Sequence, residues 1–565
     1  MQIPKFSRLR RCRLLNIINF YAAFIDLKSA FDRVSRVLLF LELHDVGIRG
    51  KMWKMLRALY KNTTVGIGPD LILDILCGIR EGGMSSPTCF NLHFDSLAKS
   101  FKKAGVGIRI GNLMVSFLFF ADDIVLLAEN PSDLQILLDI LHQDAVNRHY
   151  SFGVKKCAFI KQEWSSPIPN TIFKLGANIL SEAERLPKTK KTKFPPSYKY
   201  LGIPEMLDSL NYDIFMRKKK KDFISRLQKV KLVGGHFDGL RPEWASRLYS
   251  SQLRPILEFG MVALPYQMKY IQILEDLQLT ALRQLFGFRR STKKETIRVL
   301  TGFPSMQCRV SQLILCAHKK LNVIFEPDYY LNHILQHNSR HDNSLGNDVQ
   351  NILQNFPTSE DDRLELQLKY DQEIIDEKSL KGFKLNVRAL LEKIDFMNTK
   401  KKLELSATQG SGQAKRALRT VSRDKTYHLS PLLRANIPRY SLAKFIQSVA
   451  GCDFLTPHNF RKKPKCRFCN NTTADWPHLF FKCEKYRSQI LSKFRITELH
   501  PQTRTKIENL VNLGDHDGLT DLLFCADGSH IFQSDISILC PIVAKTCVKI
   551  QQDWARQIEK DVLAE

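Results

Sequence analysis

Short apolar runs alternate with amphipathic helical stretches over residues 20 to 160, the pattern of a region in which strands and helices share one core. FYAAFID (Phe20 to Asp26) predicts a buried strand, and VSRVLLFLELHDVGI (Val34 to Ile48) a helix ending near Gly47, with a second helix from Lys51 to Lys61. Ser86-Pro87 predicts a helix start, Ser as N-cap and Pro at the first helical position, continuing through TCFNLHFDSLAKSFKKAG to a stop at Gly105. MVSFLFF and IVLLAE predict two apolar strands joined at Ala121-Asp122-Asp123, a hairpin with acid at its tip. Beyond about residue 205 strand signals thin out and helices dominate; Leu274, Leu277, Ala281 and Leu285 share one helix face that stops at Gly287. Residues 338 to 363 and 406 to 414 are polar and Gly/Ser-containing, the composition of loops or linkers, and no internal repeat is present.

Composition narrows the partners. Of 565 residues, 85 are Lys or Arg and 57 are Asp or Glu, a net charge of +28, while 44% apolar residues suffice to bury real cores. Such an excess points to a polyanion, nucleic acid before an anionic membrane surface. The charge gathers in runs at Arg8 to Arg13, Lys188 to Lys193, Arg217 to Lys221 and Arg461 to Arg467, which favours a nucleic-acid track over scattered solvation. These runs do not line an amphipathic helix, and the most apolar long window, Met114 to Glu129, carries two Asp residues and is too short to span a bilayer, so no membrane partner is expected. The 13 Cys are scattered and no signal peptide opens the chain, which predicts a reduced, intracellular, non-secreted protein.

The most specific chemistry is acidic. Asp26 closes FIDLKSAFDRV, and Asp122 with Asp123 closes FFADD; each is pinned at the end of an apolar strand. If those strands pair, three anions crowd together, a penalty that two Mg²⁺ ions would remove. Two metals roughly 4 Å apart suit phosphoryl transfer, activating an attacking hydroxyl and steadying the leaving oxygen.

The motifs around these acids resemble reverse transcriptases of the non-LTR (LINE-type) retrotransposon branch. FIDLKSAFDRV resembles motif A, GIREGGMSSPTCFN (Gly78 to Asn91) motif B, FADD motif C, FGVKKCAFI (Phe152 to Ile160) motif D and YKYLGIP (Tyr198 to Pro204) motif E, in the family's order. The resemblance implies an α+β palm of a right-hand polymerase, an antiparallel sheet with packed helices, over residues 20 to 205. A basic segment precedes it (1 to 19); a helical thumb (206 to 320), a helical connector with linkers (321 to 440), a zinc-knuckle region (441 to 500) and a helical end (501 to 565) follow. It implies an RNA template, a DNA primer and dNTPs as partners, and a nuclear location from the chromosomal target of such elements.

By position, the resemblance makes Asp26 and Asp122 ligands of both Mg²⁺ ions, with Asp123 the second acid of the hairpin, and makes Lys156 the motif D lysine proposed to protonate the leaving pyrophosphate. Phe31 falls where the family places the aromatic that blocks a 2′-hydroxyl; the competing reading is an ordinary core Phe. Gly82, Ser86 and Pro87 match motif B, against nucleotide and template, and Tyr200, Leu201 and Gly202 match the primer-grip hairpin. Two departures stand out. Glu81 replaces the usual Gln of motif B, and Asp26 lies 25 residues from Met1, where the family has a long fingers region, so a truncation before the fingers is expected. No Pro-Asp pair follows residue 483, so no restriction-like nuclease is expected in the chain and a separate endonuclease would supply any nick.

Cys466, Cys469, His478 and Cys483 form C-x2-C-x8-H-x4-C, the donor set of one structural Zn²⁺, and resemble the family's CCHC knuckle. Lys and Arg surround them, with Phe468, Trp476 and Phe480 interleaved, a mixture suited to phosphate contact and base stacking. Two functions stay open: an RNA-directed DNA polymerase, supported by motifs A to E, and a catalytically inactive, truncated or domesticated nucleic-acid-binding remnant, supported by Glu81 and the short front.

Overall fold

The computed structural model describes residues 19–67, 71–80, 82–110, 113–163, 172–182, 197–206, 212–236, 239–324, 345–357, 359–374, 377–409, 427, 465–469, 474–486, 496–523 and 533–564. The basic runs at 8–13 and 188–193, and Glu81, lie outside these residues. The chain divides into two compact units, residues 1–215 with 324–347, and residues 216–323 with 348–565.

The first unit contains β1 (Asn19–Asp26), α1 (Arg36–Asp45), α2 (Gly50–Tyr60), β2 (Thr64–Ile67), β3 (Leu71–Asp74), α3 (Ser86–His93), α4 (Asp95–Ala104), β4 (Ile108–Ile110), β5 (Leu113–Val115), β6 (Phe117–Phe120), β7 (Asp123–Ala128) and α5 (Pro131–Arg148). It continues through β8 (Ala158–Glu163), β9 (Lys174–Leu175), β10 (Asn178–Ile179), β11 (Ser181–Glu182), β12 (Ser197–Tyr200) and β13 (Ile203–Met206). Its five-stranded sheet has the order β11-β8-β1-β7-β6. The sheet is mixed, not antiparallel throughout as expected, because β11 runs parallel to β8.

Strand alternation divides this sheet into two faces. Tyr21, Ala23 and Ile25 of β1 and Ile124, Leu126 and Ala128 of β7 enter one core with Leu39 and Leu43 of α1, Phe90 of α3, Leu97 and Phe101 of α4, and Leu134, Leu138 and Leu141 of α5. The opposite face carries Phe24 and Asp26 of β1, beside Asp123 and Val125 of β7.

The expected helix over Ser86 to Gly105 is broken. The backbone leaves helical geometry at Phe94 (φ −95°, ψ 2°), and Arg148 donates to the His93 carbonyl at 2.8 Å. Arg148 also pairs with Glu42 at 2.7 Å and Asp144 at 3.0 Å, so a carbonyl that leaves its helix finds a cation from another one. Ser86 is the first helical residue and Ser85 the N-cap, one position from the expected start; the Ser86 hydroxyl donates to the Arg80 carbonyl at 2.5 Å instead of capping. The MVSFLFF strand is two: Met114 and Val115 pair with β4, whereas Phe117 to Phe120 pair with β7.

The second unit is helical: α6 (Tyr212–Leu232, whose first turn lies in the first unit), α7 (Pro242–Leu248), α8 (Arg254–Glu258), α9 (Met268–Phe286), α10 (Lys294–Thr301), α11 (Met306–Ile324), α12 (Leu345–Asn355), α13 (Glu360–Asp371), α14 (Glu377–Thr408), α15 (Pro501–Asn512), α16 (His516–Leu523) and α17 (Gln533–Ala564). As expected, Leu274, Leu277, Ala281 and Leu285 are buried and Gly287 ends α9 in the left-handed region (φ +81°). The stretch expected as a linker at 338 to 363 instead contains α12 and the start of α13, and Val349, Ile352, Leu353 and Phe356 are buried at helical spacing. No helix of the described residues is long and apolar enough to cross a membrane.

Candidate active site

β1 and β7 pair so that Asp26 stands directly opposite Asp123. Opposed residues project to the same side; because Ile25 and Ile124 enter the helical core, Asp26 and Asp123 take the other face. Asp122 lies in the turn between Phe120 and Asp123, which pair as hairpin neighbours, and Ala121 takes a positive φ of 50° to make that turn. Asp123 therefore opens the strand and does not sit at the tip. Burial raises its carboxyl above the ordinary range, Asp122 and Asp26 raise it further, and Lys156 opposes them.

Lys156 ends a 3-10 turn, Val154–Lys156, and its Nζ lies 3.3 Å from each Asp26 oxygen. Three contacts fix that turn beside β1. Gly153 N donates to Asp26 O at 2.8 Å, Asp26 N donates to Cys157 Sγ at 3.4 Å, and the Tyr198 hydroxyl donates to Lys156 O at 2.8 Å. A Cβ on Gly153 would lie 2.5 Å from Asp26 Oδ2, so the glycine is a clearance for the carboxylate. The Tyr198 ring stacks on Phe24 with centroids 4.3 Å apart, and Tyr200 lies against the same ring at 5.8 Å. The sequence did not single out Gly153, Cys157 or Tyr198, although Gly153 and Cys157 lie inside the motif D string and Tyr198 inside the motif E string.

The other expected residues are placed as follows. Phe31 is half-buried and stacks on Phe90 at 4.7 Å, 14° from parallel. Gly82 is exposed with φ +74°, Ser86 is buried and Pro87 is exposed. Tyr200 is buried and ends β12, and Leu201 and Gly202, both at positive φ (47° and 84°), form the two-residue turn into β13. Two positive φ values in a two-residue loop match the twist of a hairpin. Gly202 thus serves the turn itself.

The family model described as reverse transcriptase (RNA-dependent DNA polymerase) matches residues 2–204. The Pol polyprotein of the type-2 retrotransposable element R2DM of Drosophila melanogaster is 28% identical over 191 residues, 32% of this chain and 17% of the relative. That of the type-1 element R2 of Popillia japonica is 29% identical over 205 residues, 35% of this chain and 27% of the relative. Residues 2–204 thus match the reverse transcriptase family, and the chain is similar to Pol polyproteins of R2 retrotransposable elements. The aligned part spans less than a third of either relative's length. Among solved structures, telomerase from Candida albicans with a fragment of telomeric RNA aligns at a TM-score of 0.26 and 10% identity over 60% of this chain and 53% of that one, too slight a likeness to bear on the fold.

Outside the reverse transcriptase domain, Cys466, Cys469, His478 and Cys483 converge, with their donor atoms within 4.8 Å of one another. Cys466 Sγ and Cys483 Sγ are 3.9 Å apart, and Cys469 Sγ is 3.3 Å from His478 Nε2. Three thiols and an imidazole are soft donors in the number that tetrahedral zinc takes. Burial lowers the His478 pKa, which favours the neutral ring a metal needs. The aromatics around the cluster do not form a stacking platform. Trp476 and Phe480 are 2% and 1% exposed, and Phe468 packs edge-on against Tyr486 at 5.3 Å and Trp554 of α17 at 5.6 Å. Lys465, Arg467, Lys482 and Lys485 are exposed around them.

One basic run also needs correction. Within Arg217 to Lys221, Lys219 is buried and donates to the carbonyls of Ile256, Leu257 and Phe259 at 2.7, 3.2 and 2.6 Å, capping α8. Arg217, Lys218, Lys220 and Lys221 are exposed.

Proposed function

We propose that this chain is an RNA-directed DNA polymerase that extends a primer 3′-hydroxyl along an RNA template with dNTPs. The observation that supports it is the opposition of Asp26 and Asp123, with Asp122 one residue away, on the sheet face turned from the helical core of a reverse transcriptase domain. Carboxylate oxygens are the hard donors Mg²⁺ prefers, and the rise of Asp123 from burial and from its neighbours Asp122 and Asp26 is opposed by added positive charge, so the residues fit the two ions. When bound, the ions would activate the attacking hydroxyl and stabilise the leaving oxygen.

The chain's own side chains then divide the work. Asp26 and Asp122 hold both ions, and Asp123 adds the second acid. Lys156, 73% exposed and resting on Asp26, can swing its ammonium to the leaving pyrophosphate and give it a proton. Phe31, held by Phe90, blocks a 2′-hydroxyl; Gly82, Ser86 and Pro87 face nucleotide and template; Tyr200, Leu201 and Gly202 carry the primer grip. In this reading residues 20 to 205 are the palm, 206 to 320 the thumb and 321 to 440 a connector. Cys466, Cys469, His478 and Cys483 hold one structural Zn²⁺, and a separate endonuclease nicks a nuclear DNA target.

Purified protein with a primed RNA template, dNTPs and Mg²⁺ should incorporate nucleotide, and Asp122→Asn should abolish incorporation. No signal above that variant would sink the enzyme and leave a binding remnant.

A further inference from the structure

Two features flank the C-terminal end of α9, outside the reverse transcriptase domain. The first is the turn from α9 into α10. Arg289, Arg290, Lys293 and Lys294 place four cations within six positions without an acid among them, and none is ion-paired among the described residues. The turn is held from inside: Phe288 and Thr292 are buried, Thr292 N donates to Arg289 O at 3.1 Å, and Arg283 Nη2 donates to Thr292 O at 3.2 Å. With Phe288 and Thr292 anchored inward, Arg289, Arg290 and Lys294 are exposed and Lys293 is half-exposed, so the turn presents like charges side by side.

The second feature is an uncovered indole. Gln284, next to Arg283 on α9, donates to Gly235 O at 3.4 Å in the approach to α7, where Trp244 is 54% exposed. The Arg247 guanidinium lies 4.8 Å from the centroid of the indole ring. α7, which carries this ring and its cation, packs against α9, and the row of cations follows α9 in the chain; together they supply what the two halves of a nucleotide need, a π-face and a charge for the phosphate.

We infer that Trp244 with Arg247 and the turn bearing Arg289, Arg290, Lys293 and Lys294 form a binding surface for single-stranded nucleic acid. The turn neutralises phosphates and Trp244 stacks an unpaired base. A duplex keeps its bases stacked on each other, so it can use the turn and not the indole. The surface is built from none of the residues assigned to catalysis, and its occupancy does not depend on polymerisation.

The test is equilibrium binding of the full chain to fluorescent oligo(U), oligo(dT) and a blunt DNA duplex, without nucleotide or Mg²⁺, over a series of salt concentrations. Exchanging Arg289, Arg290, Lys293 and Lys294 together for Gln should lower the slope of log K against log salt by about 2 to 3, since each phosphate contact on a single strand contributes about 0.7. Trp244→Ala should weaken both single strands at least about fivefold with the slope unchanged, and Trp244→Phe should recover most of the loss. Neither contact reads a 2′-hydroxyl, so RNA and DNA should respond alike. An unchanged slope in the fourfold variant, an equal loss on the duplex with Trp244→Ala, or an effect confined to one sugar would overturn the surface. A silent primer-extension assay would overturn the polymerase and leave this result standing.

Discussion

Gly153 shows how one missing side chain serves the carboxylates. Its backbone lies at φ −81° and ψ 65°, open to any residue, so conformational freedom is not the reason for glycine there. Contact is the reason, because a Cβ would collide with Asp26 Oδ2 at 2.5 Å. The atom it meets is the end of a side chain, so the clash is relieved by moving the carboxylate and not the fold. Gly153→Ala is therefore expected to cut kcat for nucleotide incorporation at least about tenfold, as misplaced catalytic groups do, with thermal unfolding shifted by little. Primer extension alongside a melting curve checks it; a large loss of stability with kcat per folded molecule unchanged would show that the glycine serves packing alone.

At the scale of elements, Lys219 joins α6 to the end of α8 through three carbonyls. Burial pushes its ammonium from the ordinary 10.5 down to about 7, against the pull of Glu258 and Asp222. Below about 7 the charged group carries its full desolvation cost in the fold; between 7 and 10.5 the unfolded chain holds a proton that the fold releases, so this residue's contribution to stability should rise with pH across that window. Urea unfolding of wild type and Lys219→Met at pH 7, 8.5 and 10 should give a stability difference that moves in favour of wild type as pH rises. A constant difference would mean that the three carbonyls keep the proton in place. The sequence contained part of this: Met216, Lys219, Phe223, Leu227 and Val230 fall on one helical stripe, and all are buried. A run of lysines hid the phase. β1 and β7 were legible because apolar runs flank their acids, whereas α12 was masked by the polar residues around Val349, Ile352 and Leu353. The break at Phe94 was not legible, since the Arg148 that captures the His93 carbonyl lies 55 residues away in sequence.

At the scale of the whole molecule, the Cys/His cluster and the C-terminal helices behave as one packed body. Phe468 meets Trp554, Tyr486 donates to Asp553 at 2.8 Å, and Phe481 stacks on His516 of α16 at 5.7 Å. Withdrawal of zinc by a chelator, or Cys466→Ser, should therefore speed amide exchange in residues 465–486 and also in α17 around Val543 to Trp554, while β1 and β7 exchange as before. Exchange that changes in the cluster and not in α17 would contradict a shared core. The inward turn of Trp476 and Phe480 limits what the cluster can offer a polynucleotide. With these two rings spent on packing, what the described part of this module turns to solvent includes the charges of Lys465, Arg467, Lys482 and Lys485. Such a grip is blind to base identity, so these four residues would add affinity, and not sequence choice, to any nucleic acid they meet.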